Sequence, residues 1–464
     1  MVAANTFHGE PINGEPIMRV RIKHDTFVRQ ISDEVLLWNG HNSGALVVQD
    51  FDLFLRNLGK NWISVDTLSD SLSRESRRPK NEIVNDVRFI IGNLMECGMV
   101  DIDEPKQTVL SDSVRSSVCD ESIGRTGAKN VVEDFYKRHS VPSEFHIDLT
   151  NSCTEKCVHC YIPRCEGVFL DTSLATKVLS EFNALQGLTV LISGGECLLH
   201  PDFRNICLYC RELGLNIIIF SNLTLCNSEC VKFFSEIEPQ FINVSLYSME
   251  ADVHDKITGV SGSWNKTMKA ILLCHDMGLD IRIATPLLRE NKESFSALID
   301  FTRKYNIHLI PTYDIVARTN HDSANLNWCC SAQELRHVLN NHKELFYGGW
   351  NDFDPLPGDK VCGIGETRIC LSANGYYYPC DAMHGYVLAD AKECELFDVW
   401  NGGPIEKLRR LRNSDFLNCT KCSHRRFCKV CLANNFNITG ELFSIHPRQC
   451  EIGEIVHDIY GEKE

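Results

Sequence analysis

Three cysteines, Cys153, Cys157 and Cys160, stand in the stretch CTEKCVHCYIP at the spacing C-x3-C-x2-C. Thiolates so spaced can share one metal centre. Iron–sulfur cubanes and structural zinc sites ordinarily take four protein ligands, so the fourth position is either filled from far along the chain or left open. A second candidate, LISGGECLL, sets Glu196 directly after Gly194 and Gly195. The glycines allow close backbone approach and Glu196 supplies a carboxylate beside them. Taken alone, the cysteines also fit zinc or buried free thiols, and GGE also fits an ordinary strand-ending turn. Nine more cysteines lie between 362 and 450: Cys362, Cys370 and Cys380 in CGIGETRICLSANGYYYPC, Cys394, then Cys419, Cys422, Cys428 and Cys431 in CTKCSHRRFCKVC, and Cys450. The C-x2-C-x5-C-x2-C run could also serve zinc.

The elements that must position these groups follow from pattern and composition. A chain of 464 residues is expected to hold more than one folding unit. Its 43% hydrophobic and 23% charged content is that of a globular protein. No apolar run is long enough to cross a bilayer, and MVAANTFHGEPINGEPIM lacks the basic and apolar regions of a signal peptide. A cytosolic protein is therefore expected, in which 23 cysteines favour reduced thiols and metal ligation over disulfides. The net charge of −15 is poorly suited to tracking a phosphate backbone and better suited to a small-molecule or peptide substrate.

Between residues 144 and 345 apolar runs alternate with helical patterns. FHIDLT, LTVLIS, NIIIFS, FINVSLY, DIRIATPL and HLIPTYDIV read as strands. TSLATKVLSEFNAL, PDFRNICLYCREL, SECVKFFSEI, KTMKAILLCHDM and ESFSALIDFTRKY read as helices, with Asp171, Pro201, Ser228 and Gly214 or Gly278 as start and stop signals. Six β/α repeats predict an α/β fold with a parallel sheet, curled by right-handed crossovers into a barrel or partial barrel. Its chemistry would sit at the strand C-terminal ends. The three-cysteine loop follows the first strand and GGE the second. Upstream, residues 15–105 predict a small winged-helix unit, with a helix in NEIVNDVRFIIGNLMECGMVDID, a turn at Gly98 and then a strand. A linker is expected over residues 106–143. Residues 346–459 are cysteine-dense and weakly periodic, which predicts an irregular domain built around metal. Cys207, Cys210, Cys226 and Cys230 lie on predicted helices and read as core thiols.

C-x3-C-x2-C after strand one with GGE after strand two resembles the radical S-adenosylmethionine (SAM) enzymes. The resemblance implies a partial (β/α)6 TIM-like barrel and a [4Fe–4S] cluster held by Cys153, Cys157 and Cys160. The fourth iron is then left to SAM, whose amino group Glu196 holds beside Gly194 and Gly195. It implies reductive cleavage of SAM to a 5′-deoxyadenosyl radical that abstracts hydrogen from substrate, the hard chemistry belonging to the cofactor. Two departures stand out: Cys197 replaces the frequent proline, and His159 occupies the place of a common aromatic, with Tyr161 just after it. His159 or Tyr161 would pack on adenine. Ser221, Asn222 and Ser245 are candidates to approach the ribose, Ser245 first, and each is equally readable as an ordinary strand-end polar residue.

The C-terminal cysteines resemble the SPASM extension of these enzymes, through Cys362, Gly375 with Cys380 five residues on, and the 419–431 run. Its last gap is two residues where the family has three. This implies two auxiliary [4Fe–4S] clusters, one on Cys362, Cys370, Cys380 and Cys431, the other on Cys419, Cys422, Cys428 and Cys450, with Cys394 left over. If Cys370 is not a ligand, the first cluster has an open iron. Residues 15–105 resemble the PqqD-like winged helix-turn-helix domains that recognise the leaders of ribosomally made peptides. DNA binding by the same fold is the alternative, disfavoured by the excess of acidic residues. Together these imply a peptide maturase that installs an oxidative cross-link, a Cys thioether to carbon first, a carbon–carbon or carbon–oxygen link second. A maturase of whole proteins and a non-enzymatic zinc-binding regulator are further alternatives. The expected partners are SAM, three [4Fe–4S] clusters, a precursor peptide and a flavodoxin- or ferredoxin-type reductant. Nucleic acid and membrane are not expected partners, and the chain is expected to be a monomer.

Overall fold

The computed structural model describes residues 18–40, 44–49, 52–103, 125–163, 167–346 and 356–461. The chain divides into two units, residues 1–139 and 140–464.

The first unit runs β1 (Arg19–Ile22), β2 (Thr26–Ile31), β3 (Glu34–Asn39), β4 (Ala45–Gln49), α1 (Asp52–Asn57), β5 (Ile63–Ser64), α2 (Val65–Ser76), α3 (Lys80–Glu96), β6 (Val100–Asp103) and α4 (Arg125–His139). β1 lies between β5 and β6, and β2-β3-β4 form a meander; all these pairings are antiparallel. Ser64 starts α2 by accepting a hydrogen bond from the Thr67 amide at 3.0 Å. Ile83, Val87, Ile91 and Leu94 recur at helical spacing on α3 and are buried against Leu68 and Leu72 of α2. Gly98, at φ +68°, makes the left-handed turn into β6. The span expected to be a linker contains α4, because Phe135 and Tyr136 supply an apolar face that is fully buried. Arg138 and His139 at its end bond the Glu34 carboxylate at 2.8 and 2.9 Å.

The second unit begins β7 (Glu144–Asp148), α5 (Thr172–Ala184), β8 (Thr189–Ser193), α6 (Phe203–Glu212), β9 (Asn216–Ser221), α7 (Ser228–Ile237), β10 (Phe241–Ser245), α8 (Ala251–Thr258), α9 (Ser263–Asp276), β11 (Ile281–Pro286), α10 (Phe295–Lys304) and β12 (His308–Thr312). All six strand patterns are strands, paired in parallel in chain order from β7 to β12. Alternation assigns their faces: on β10, Ile242 and Val244 are buried in the apolar core while Asn243 and Ser245 line a cavity. Helix α8 is an addition. Its run ADVHDKIT is short and mostly polar, and it is closed by Gly259 at φ +68°.

Two start signals shift. Helix α6 begins at Phe203, after Asp202. Helix α7 is capped by Asn227 rather than Ser228, since the Asn227 carboxamide accepts from the amides of Glu229 and Cys230, both at 3.0 Å. Asn227→Ala is expected to destabilise the protein by about 1 kcal/mol, read as a lowered denaturation midpoint, with Ser228→Ala nearly silent.

The chain continues with α11 (Ala332–Asn341), α12 (Lys343–Phe346), β13 (Arg368–Leu371), β14 (Tyr376–Tyr378), β15 (Ala389–Asp390), α13 (Leu396–Trp400), α14 (Gly403–Arg409), α15 (Leu432–Thr439) and α16 (Pro447–Tyr460). Strand β13 pairs in parallel with the free side of β7, and β14 and β15 extend the same sheet. This region was expected to be organised around metal alone. It instead shares the main core through Ile369, Leu371, Tyr377 and Trp400, and a second apolar cluster of Ile364, Met383, Leu408, Phe416 and Leu432 lies beside its cysteines.

Candidate active site

The cysteine loop leaves β7 and is pinned from two sides. The GGE turn holds one end: the Gly195 amide donates to the Thr150 carbonyl at 2.6 Å and the Glu196 amide to Ser152 at 2.8 Å. A Cβ on Gly194 would sit 2.4 Å from the Thr150 oxygen, and one on Gly195 would sit 2.3 Å from the Ser152 oxygen. The two glycines are thus what lets the turns approach. Helix α8 holds the other side, its Thr258 and Ile257 carbonyls accepting from the amides of Lys156 at 2.7 Å and Val158 at 2.9 Å.

Glu196 is fully buried. Its carboxylate accepts from the Ser221 hydroxyl at 2.7 Å, the Asn222 amide at 2.8 Å and the Leu198 amide at 3.1 Å. Burial pushes its pKa up, against those donors. Asn222 reaches onward, its side-chain amide donating to Thr154 at 3.0 Å and lying 3.6 Å from the Cys153 sulfur. Strand ends β7, β8 and β9 are therefore tied into one polar network around Glu196.

The three thiols and the GGE glycines line one cavity of about 710 Å³, walled by Cys153, Cys157 and Cys160, Gly194 and Gly195, Ser221, Ser245 and Tyr161 among others, while the Glu196 side chain is buried behind that wall. That volume is in the range of small-molecule sites. The Ser221 hydroxyl serves Glu196, whereas Ser245 faces the cavity from β10. The His159 ring packs edge-on against Tyr247, with centroids 4.9 Å apart. Burial lowers its pKa to about 4, so it is a neutral packing group at pH 7. Burial likewise raises the Cys153 thiol to about 12, so a metal must displace protons to bind here. Three thiols in one cavity, with a carboxylate held behind them, fit a cluster that leaves one iron to a non-protein ligand.

Sequence reasoning missed a buried group beside this cavity. Asp148, at the end of β7, is 1% exposed. It meets His146 Nε2 at 3.1 Å, accepts from the Tyr378 hydroxyl and lies 3.3 Å from His384 Nε2. Burial opposes charge on both His146 and Asp148, but their mutual attraction outweighs it, holding the acid below and the imidazole above their usual ranges. Tyr378 and His384 flank Cys380, so this carboxylate ties the strand before the cysteine loop to the C-terminal cysteines. Two polar residues at alternate positions of an apolar strand were the available signal.

The C-terminal thiols fall into two groups. The Cys431 thiol is raised by burial and then by Cys362, that of Cys380 by burial, Asp381 and Cys431, and that of Cys370 by burial, Asp381 and Cys380. Separately, Cys428 is raised by burial and then by Cys450, Cys419 and Cys422. This second set lines its own cavity of about 60 Å³. Among the described residues no three His, Cys, Asp or Glu groups converge for a single metal ion; the four thiols around this cavity have the donor set of a cubane. Cys394 packs against the main core, as do Cys207, Cys210, Cys226 and Cys230. Cys197 is buried and donates to the Phe220 carbonyl at 3.4 Å. Among the described residues no helix is long and apolar enough to cross a membrane.

Residues 147–302 match the radical SAM superfamily, and residues 362–423 match an iron-sulfur cluster-binding domain, SPASM. The chain is 25% identical to an AdoMet-dependent heme synthase of Methanosarcina barkeri, over 65% of this chain and 94% of that protein. It is also 25% identical to the antilisterial bacteriocin subtilosin biosynthesis protein AlbA of Bacillus subtilis, over 64% of this chain and 68% of that protein. Its fold is similar to that of Streptococcus suis SuiB bound to the precursor peptide SuiA, with a TM-score of 0.58 and 18% identity over 93% of this chain and 99% of that one. With the thiol loop and the GGE turn facing one cavity, these matches give the chain a radical SAM domain over residues 147–302 and a SPASM domain over residues 362–423.

Proposed function

We propose that this enzyme matures a ribosomally made precursor peptide by installing an oxidative cross-link. The observation that carries this reading is the fold likeness to SuiB over almost the whole of both chains, whereas the alignment with the heme synthase spans only 65% of this one. Residues 15–105 are read as a PqqD-like winged helix-turn-helix unit in which α2 and α3 form the helix pair. The leader would add as a strand at a sheet edge with α3 as the other wall; Phe89 and Met95, exposed apolar residues of α3, suit such a contact. Docking there raises the local concentration of the core peptide at the cavity.

Cys153, Cys157 and Cys160 would hold the SAM-binding cluster, and Glu196 would take the amino group of SAM. When bound, these groups supply a hydrogen-abstracting radical. The protein's part is to orient the peptide and hold SAM in place. Closing the cross-link requires loss of one further electron, for which Cys362, Cys370, Cys380 and Cys431, and Cys419, Cys422, Cys428 and Cys450, would hold two auxiliary clusters as acceptors or relays. A thioether from a Cys sulfur to carbon is the first reading, and carbon–carbon or carbon–oxygen links are the second. Co-expression with a candidate precursor peptide is expected to lower that peptide's mass by about 2 Da per cross-link, two hydrogens being lost. An unchanged peptide mass would overturn the reading.

A further inference from the structure

The chain is acidic overall, at −15, yet residues 406–429 hold eight Lys and Arg against two acidic residues. The two acids are engaged locally. Glu406 is shared by Arg409 and Arg410, both at 2.9 Å, and Asp415 accepts from the Arg412 amide at 2.8 Å. This basic stretch contains Cys419, Cys422 and Cys428. Cys422 and Cys450 are exposed, as are Lys421, Arg426 and Lys429 around them. Lys360, Arg425 and Lys429 line the thiol cavity itself. Beside it Leu417 is 78% exposed, an apolar contact within a charged rim. On the acidic side, Lys360 is paired with Glu366, and Glu451 and Glu454 stand on α16, the latter 3.9 Å from Arg336.

A cationic patch around surface thiols, on an otherwise acidic protein, steers an anionic partner to one place. We propose that this face docks a small acidic one-electron carrier protein and that the Cys419, Cys422, Cys428 and Cys450 site is where electrons cross the surface. The inference rests on the auxiliary-cluster assignment proposed for those four thiols. These four thiols would hold a metal group able to take one electron from the reduced carrier, in the relay role named above; the carrier would be oxidised by one electron, with no bond made or broken and no proton moved. Nucleic acid would also be drawn to a cationic patch, but it has no use for thiols at its centre.

The test uses full-length, iron-loaded protein with reduced flavodoxin as the acidic carrier. Electron transfer is followed by stopped flow for the wild type and for Lys421→Glu combined with Arg426→Glu. The wild-type rate is expected to fall as salt rises, and the double variant to be about tenfold slower or more at low ionic strength. Both proteins should carry the same iron and be reduced equally by dithionite, which needs no docking surface. Equal flavodoxin rates in the two proteins, at equal iron content, would overturn the docking proposal alone, as would loss of duplex-DNA binding in the variant with its flavodoxin rate unchanged. If Cys419→Ala combined with Cys422→Ala costs the protein no iron, the cluster assignment fails and the docking proposal fails with it.

Discussion

Simultaneous replacement of Cys153, Cys157 and Cys160 by alanine will abolish 5′-deoxyadenosine formation and remove about four of about twelve irons. These three thiols share the cavity that Glu196 backs, and none of the C-terminal thiols lines it. The auxiliary sets lie on separate elements, in the loops, strands and helix α16 after residue 356, so their irons should remain. Iron and sulfide analysis after anaerobic reconstitution checks the loading, and chromatography of the SAM reaction checks the cleavage. Residual deoxyadenosine in the triple variant would mean that SAM is cleaved elsewhere. Zinc without sulfide in the wild type would contradict the cluster assignments altogether.

The second large effect is expected at Glu196. Its carboxylate is fully buried and held by three donors, which fixes its orientation before any ligand arrives. A charge-assisted hydrogen bond to an ammonium group contributes about 1.5–3 kcal/mol, so Glu196→Gln should weaken SAM binding by about tenfold to a hundredfold. The amide also turns an N–H group toward Ser221 or Asn222, both donors, which adds local repulsion. Ser221→Ala removes only one of the orienting bonds and should have a milder effect. Equilibrium binding of SAM to the iron-loaded variants, compared at equal iron content, measures both. Unchanged affinity in Glu196→Gln would remove Glu196 from the ligand site.

The parallel sheet was legible because each strand of the array is a short apolar run bounded by turn residues, and each helix repeats apolar positions at three and four. The active-site loops were legible for a related reason: cysteine triplets and paired glycines are uncommon residue combinations with few physical uses. What escaped depended on tertiary context. Helix α8 is too short and polar to announce itself, yet its last carbonyls pin the cysteine loop. Helix α4 lies in a polar stretch whose apolar face is a few residues near its end, including Phe135 and Tyr136. The parallel pairing of β13 with β7 joins Arg368 to Glu144 across more than two hundred residues, which no local pattern encodes. Asp148 escaped because a carboxylate as the last residue of a strand reads as an ordinary strand end; its partners Tyr378 and His384 are remote in sequence. Ser228 opens α7 but Asn227 caps it; both residues are good N-caps, and only the hydrogen bonds decide between them.

The most direct measurement combines the iron-loaded enzyme, SAM, a reductant and a candidate precursor peptide, with the peptide mass and the deoxyadenosine yield followed together. The account predicts a peptide lighter by about 2 Da for each cross-link formed, with deoxyadenosine rising in step. Deoxyadenosine accumulating while the peptide mass stays unchanged, or an iron porphyrin being converted in its place, would contradict it.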